Sequence, residues 1–149
     1  MSKQGPFIRP HGVNWVTGVQ RRGLNSLKTR KQTMKYLALI YAAPGAGPDY
    51  GTPEFEPYMD GYRSATETYQ RDGVMLAGEA LQDTSTATTV RVRNGKTETM
   101  DGPFAETKEQ LGGFYLFECT NLDDAIKYAA MIPSAEHGSV EVRPVMEIE

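Results

Sequence analysis

Only two stretches of the chain repeat apolar residues at helical spacing, and the short extended runs around them dictate the order in which any fold must be built. In the first, Phe55, Tyr58, Met59, Tyr62, Ala65 and Tyr69 fall three and four residues apart, the stripe of an amphipathic helix that closes at Gly73. Core packing is the expected role of this row of tyrosines, with ligand stacking as the alternative. In the second, Asn121 stands as an N-cap, and Asp123 and Asp124 occupy a first turn where the helix dipole favours acids. Leu122, Ala125, Ile126 and Ala129 form one face there, and Pro133 ends the helix.

The extended runs fall before, between and after these helices. "KYLALIYA" is mostly apolar and reads as a strand buried on both faces, leading into the Gly/Pro-rich loop "APGAGPDYGTP". "VMLAGEAL" (Val74 to Leu81) is a second strand. "ATTVRVR" and "KTETM" flank Asn94-Gly95, a dipeptide suited to a type I′ turn, which makes them a hairpin. "GFYLFEC" (Gly113 to Cys119) and "SVEVRPVMEI" complete the set. With the hairpin set aside, the order is strand, helix, strand, strand, helix, strand. That is an α+β, split βαβ, ferredoxin-like arrangement with an added β-hairpin.

Two helices cover one face of such a sheet and leave the other bare. Alternation puts Phe114, Leu116 and Glu118 on one face of their strand, and Glu141, Arg143 and Val145 on one face of theirs. A face that mixes large apolar groups with Glu and Arg is neither plain core nor plain surface. It predicts a homodimer whose sheets pack face to face around a partly polar cleft.

Charge divides the chain at Met34. Residues 1 to 33 hold seven basic residues and no acid, whereas the remainder holds nine basic and nineteen acidic residues. The leader has no sustained apolar period and is expected to stand outside the core, as a disordered basic arm or a start codon assigned too early. A secretory reading, with Arg21 and Arg22 as a twin-arginine pair, suffers from a short apolar run set far from the arginines. The acidic domain argues against wrapping nucleic acid. No run approaches the roughly 18 apolar residues of a membrane span. The single cysteine, Cys119, suits a reducing, cytoplasmic setting.

"DGPFAETKEQLGG", Asp101 to Gly113, carries more chemistry than a turn requires. Asp101-Gly102-Pro103 is expected to bend sharply and aim the Asp101 carboxylate, Phe104 to anchor the loop in the core, and "AETKEQ" to form one helical turn with Glu106 and Gln110 on one side. Gly112 and Gly113 let the backbone enter the next strand at close quarters. Asp101, Glu106 and Glu79, the last flanked by Gly78 and Ala80, are the candidate general bases. Arg143 and Lys108 are the candidate anion holders, with Phe104 and Tyr41 completing the substrate-binding set. The competing reading makes Asp101 a loop clamp, the other loop charges solvated, and Arg143 a salt-bridge partner of Glu118 or Glu141. The sequence holds no Gly-rich phosphate loop, Cys/His metal cluster or nucleophile elbow, and neither metal nor organic cofactor is expected.

"DGPFAETKEQLGGFYL", "GEALQDTSTATTVRVRNGKT" and "GSVEVRPV" together resemble the DGPF-domain branch of the YCII-related family, from about Met34 to Met146. The resemblance implies a ferredoxin-like dimeric α+β barrel. Wider relatives are associated with a His/Asp pair in the cleft, but the only histidines here are His11 in the leader and His137 in the loop before the last strand. The branch also implies an association with extracytoplasmic-function sigma factors. Two readings follow: a dimeric, cofactor-independent acid/base enzyme acting on a small organic, anionic molecule, or a non-catalytic regulatory or ligand-sensing protein working beside a transcription factor.

Overall fold

In the computed structural model, which describes residues 32–148, the first apolar run becomes β1 (Met34–Ala42). Helix α1 (Phe55–Arg71) follows, then β2 (Met75–Ala80), and the β3 (Thr88–Arg93) and β4 (Lys96–Asp101) hairpin. The chain continues through β5 (Gln110–Cys119), α2 (Leu122–Ala129), a 3-10 turn at Pro133–Glu136, and β6 (Ser139–Pro144). Four strands form one sheet in the order β2-β5-β1-β6, every neighbouring pair antiparallel, and β3 and β4 form a second sheet of their own. The expected mixed α+β architecture is therefore present. The main sheet is open, with β2 and β6 as its edges, and no barrel closes among the described residues.

One face of the sheet is the core. Tyr36, Ala38 and Ile40 of β1 and Tyr115, Phe117 and Cys119 of β5 are buried with Ala65 and Tyr69 of α1 and Ala125 of α2. The expectation that β1 is buried on both faces needs correction. Its alternate residues Lys35, Leu37, Leu39 and Tyr41 are only half-buried, because both helices pack on the same side.

Tyr69 occupies the centre of that core and is 0 % exposed. Its ring meets Phe117 and Tyr115 edge-on at 4.8 and 5.2 Å, and its hydroxyl donates to the Tyr128 carbonyl at 2.7 Å. One side chain thus joins α1 to the sheet and to α2, and its polar tip is satisfied where water is excluded. The tyrosine stripe is core packing at Tyr69, as its spacing indicated.

Local signals in the sequence explain the ends of the elements. Asn94 and Gly95 both have positive φ, 51° and 74°, as the β3–β4 turn requires. The Asn121 side chain accepts from the Asp124 N–H at 2.9 Å and caps α2. Several boundaries differ from expectation. β5 starts three residues earlier than Gly113, β6 stops at Pro144 rather than continuing to Ile148, and α2 ends at Ala129 before Pro133 opens the 3-10 turn. On α2, Leu122 and Ile126 are 46 % and 50 % exposed rather than core, since the helix approaches the sheet through the small Ala125 and Ala129.

Of the basic leader, Gln32 and Thr33 are described and Thr33 donates to Glu118 at 3.0 Å; the expectations for residues 1–31 lie outside the described residues. No helix among the described residues is long and apolar enough to cross a membrane.

Two outcomes follow from this core. Tyr69→Phe, which keeps the ring and deletes the donor to Tyr128, should lower unfolding free energy by about 1 kcal/mol in urea titrations. Burial pushes the Cys119 thiol up to about 11, so it should resist a disulfide-exchange reagent at pH 8 and react in full once the chain is unfolded.

Candidate functional site

The bare face of the main sheet can be read row by row from the strand register. Glu79, Phe114, Leu39 and Glu141 stand side by side across β2, β5, β1 and β6. The next row is Ala77, Leu116, Leu37 and Arg143. Leu37, Leu39, Phe114 and Leu116 therefore form a half-buried apolar block, with Glu79 on one edge strand and Glu141 and Arg143 on the other. Lys35 opposite Glu118 closes one end, and Tyr41, between Leu111 and Ser139, closes the other. The sequence reading that put Phe114, Leu116, Glu118, Glu141 and Arg143 on mixed faces is matched by this register. It missed Leu37 and Leu39, whose alternation with Tyr36, Ala38 and Ile40 is masked by the nearly continuous apolar run.

Three of the expected site residues, Glu79, Tyr41 and Arg143, share this face. Arg143 donates to Glu141 two residues away on the same strand, at an exposed position. The pair lies along β6 rather than across the sheet, and at such exposure it adds little to stability. Glu79 is exposed and forms no ion pair among the described residues. Its backbone is held tightly: a Cβ placed on Gly113 would lie 2.7 Å from the Glu79 carbonyl oxygen. Gly113 thus permits the close entry of β5 beside β2, as its place in the loop motif suggested.

Asp101, Phe104, Glu106 and Lys108 are placed elsewhere, in the segment that leaves β4 and returns to β5. Gly102 takes φ 93° and makes the expected bend. Its N–H donates to the Ala87 carbonyl, and its own carbonyl accepts from the Thr89 hydroxyl, each at 2.8 Å. The bend is fastened to the base of the hairpin through the Gly102 backbone, so the Asp101 carboxylate is not the clamp. Phe104 is 74 % exposed and does not anchor the loop in the core. The single-turn helix expected at "AETKEQ" is absent; the segment runs through bends, with Thr107 donating to the Glu109 carbonyl at 2.5 Å. A lone turn orders several dihedrals for one hydrogen bond, and here nothing packs over it to offset that cost.

A second polar group escaped the sequence reading. The buried Ser134 hydroxyl is shared by the hydroxyls of Tyr58 and Tyr62 at 2.7 and 2.6 Å, and the half-buried His137 ring lies 5.6 Å from that of Tyr58. A Cβ on Gly47 would come within 3.3 Å of His137 Nε2, so the Gly/Pro-rich loop passes directly over the imidazole. The available signal was the four-residue spacing of Tyr58 and Tyr62 on one side of α1. Their partner lies 72 residues further along the chain from Tyr62, where no local pattern points to it. This knot pins the 3-10 turn to α1. A shallow depression of about 340 Å³, lined by Tyr62, Arg63, Thr66 and Glu67, lies along the same helix, and none of the expected site residues lines it.

Burial pushes the Tyr62 hydroxyl up to about 12. The fold therefore favours its neutral form; the contribution is complete below pH 10 and disappears as pH rises through about 12. Burial raises Tyr69 in the same direction. Stability should thus fall between pH 10 and 12, and Tyr62→Phe should reduce the slope in urea titrations across that range. Ser134→Ala, which strips a partner from two hydroxyls, should cost about 1 to 2 kcal/mol at neutral pH.

The sequence model of the YCII-related domain matches residues 34–149. An uncharacterised protein of Rhizobium meliloti (strain 1021) is 39 % identical over 114 residues, covering 75 % of this chain and 92 % of that protein. The match spans both the bare sheet face and the Asp101-to-Gly113 segment, and the chain belongs to the YCII-related domain family.

Proposed function

We propose that the chain acts as a homodimer, with its open sheet faces packed together around a cleft that binds a small organic anion and catalyses proton transfer without metal or organic cofactor. The observation that carries this reading is the half-buried block of Leu37, Leu39, Phe114 and Leu116, rimmed by Glu79, Glu141 and Arg143. Four large apolar residues on a bare sheet face favour a covered state. The strand order β2-β5-β1-β6, with α1 and α2 as the two crossovers, supports a ferredoxin-like description, and the DGPF stretch supports a place in that branch of the family. The buried single cysteine is compatible with a cytoplasmic setting.

In this reading Glu79 is the base. Enclosure between two sheets takes its carboxylate out of bulk water and holds it against the ligand, which suits proton abstraction. Arg143 exchanges Glu141 for the ligand's carboxylate, which its planar guanidinium grips in two bonds. Tyr41 borders the same face. Asp101, Glu106, Lys108 and Phe104 serve at the mouth of the cleft, contributed by the loop that feeds β5.

The Arg143–Glu141 pair also favours a second reading. If the pair persists and the dimer face is sealed, the protein is a non-catalytic regulator or ligand sensor beside an extracytoplasmic-function sigma factor, the setting implied by the DGPF resemblance.

Native mass spectrometry of the full chain in a cell metabolite extract tests the two readings. The expected result is a dimer with a defined added mass, lost in Arg143→Ala and retained in Glu79→Gln, which binds without turning over. Asp101→Asn should leave the melting temperature unchanged, because its side chain holds nothing in place. A dimer that stays empty in every extract removes the small-molecule reading and favours the regulator.

A further inference from the structure

The β3–β4 hairpin is unfinished as a structural unit. Among the described residues it pairs with no third strand, and its substantial packing is confined to its own two strands. An isolated two-stranded ribbon is marginal in water, and this one is also amphipathic. The register pairs Val90 with Thr99 and Val92 with Thr97, so these four β-branched residues share one side. Arg91, Glu98, Arg93 and Lys96 share the other. Val90 and Val92 are each 60 % exposed, and no other element among the described residues packs over them.

Charge narrows the choice of what does. The eight residues from Val90 to Thr97 contain three basic residues, Arg91, Arg93 and Lys96, and no acid. From Met34 onward, the rest of the chain has six basic residues against nineteen acidic ones. A basic, apolar-sided tip on an otherwise acidic domain is complementary to another copy of that domain. The open sheet face supplies carboxylates at Glu79, Glu118 and Glu141, around an apolar block that also lacks a cover.

Reach is sufficient. The hairpin is rooted at the end of the β2–β5 pair, where the Leu81 N–H donates to the Gly112 carbonyl at 2.8 Å and Thr84 donates to the Gln110 side chain at 3.3 Å. Its strands are six residues long, which at roughly 3.3 Å per residue gives an arm of about 20 Å, while two sheets stacked face to face lie about 10 Å apart. An arm of that length is long enough to bridge the gap between two such sheets.

We infer that the hairpin is an exchanged arm: each copy lays its Val90/Val92 side on the open-face apolar block of the other, and the long side chains of Arg91, Arg93 and Lys96, on the outer side of the ribbon, reach round its edges to the partner copy's rim carboxylates on β5 and β6, the positions of Glu118 and Glu141. The inference rests on the homodimer reading and adds a consequence to it. The cleft of one copy is then bordered by cations from the second, so the anion-binding charge comes from both chains.

The test uses mixed dimers of the full chain. One copy is uniformly 15N-labelled; the other is unlabelled and carries a nitroxide on Glu98→Cys, on the charged side of the arm and outside the proposed Val/Thr contact. Mixed dimers should show at least a twofold loss of intensity for the labelled copy's amides at Glu79, Glu118 and Glu141, restored on reduction of the nitroxide. Adding Arg91→Glu, Arg93→Glu and Lys96→Glu to the spin-labelled copy should abolish the loss. Val90→Ser with Val92→Ser should raise the dimer dissociation constant about tenfold in sedimentation experiments. A stable dimer with no loss at the rim and an unchanged dissociation constant overturns the exchanged arm and leaves the dimer standing. A monomer at the concentrations of the NMR experiment overturns both.

Discussion

The position of Tyr69 governs the rest of the structure. Its ring packs edge-on against the stacked Phe117 and Tyr115 of the sheet, and its hydroxyl reaches the backbone of α2, so both helices are drawn to one face. With a core of modest size and several alanines at the helix contacts, close approach is achieved by small residues and filled by aromatic rings. The consequence is asymmetric. The face the helices cover is well packed, and the described residues on the other face stay half-buried or exposed.

That asymmetry decided how much could be read from residues alone. Local patterns with a direct physical cause were legible: the Asn94-Gly95 turn, the Asn121 cap, the bend at Gly102 and the helical stripe ending on Tyr69. Features set by long-range packing were not. Phe104 is as apolar as Phe117, and only the outward course of the loop after Gly102 distinguishes an exposed ring from a buried one. Leu122 and Ile126 had the right spacing for a core face, but Ala125 and Ala129 set how closely α2 approaches and leave the larger residues outside. The Ser134 knot joins distant parts of the chain and leaves no periodic trace.

Strand alternation made legible which residues share the helix-free sheet face, whereas the course of the charged loop was not legible. Strand alternation placed the Glu and Arg of β5 and β6 correctly, since a two-residue period survives any error in strand length. The charged loop attracted attention because it combines acids, a base, glycine and proline. In the fold its glycines account for much of that richness: Gly102 makes the bend and Gly113 admits the neighbouring strand.

The central strand of the main sheet comes first in the domain, and its outer neighbour comes last. β1 pairs Tyr41 with Ser139 and Tyr36 with Pro144, contacts that span about a hundred residues. A nascent chain emerging from the ribosome therefore carries a sticky, nearly continuous apolar strand whose second edge has no partner until the C-terminal strand has been synthesised. Closing such distant pairings is slow, and the exposed strand is open to wrong partners meanwhile. Biogenesis of this domain thus depends on β6, and a ribosome stalled shortly before Ser139 would release a product prone to aggregation rather than a slightly shortened domain.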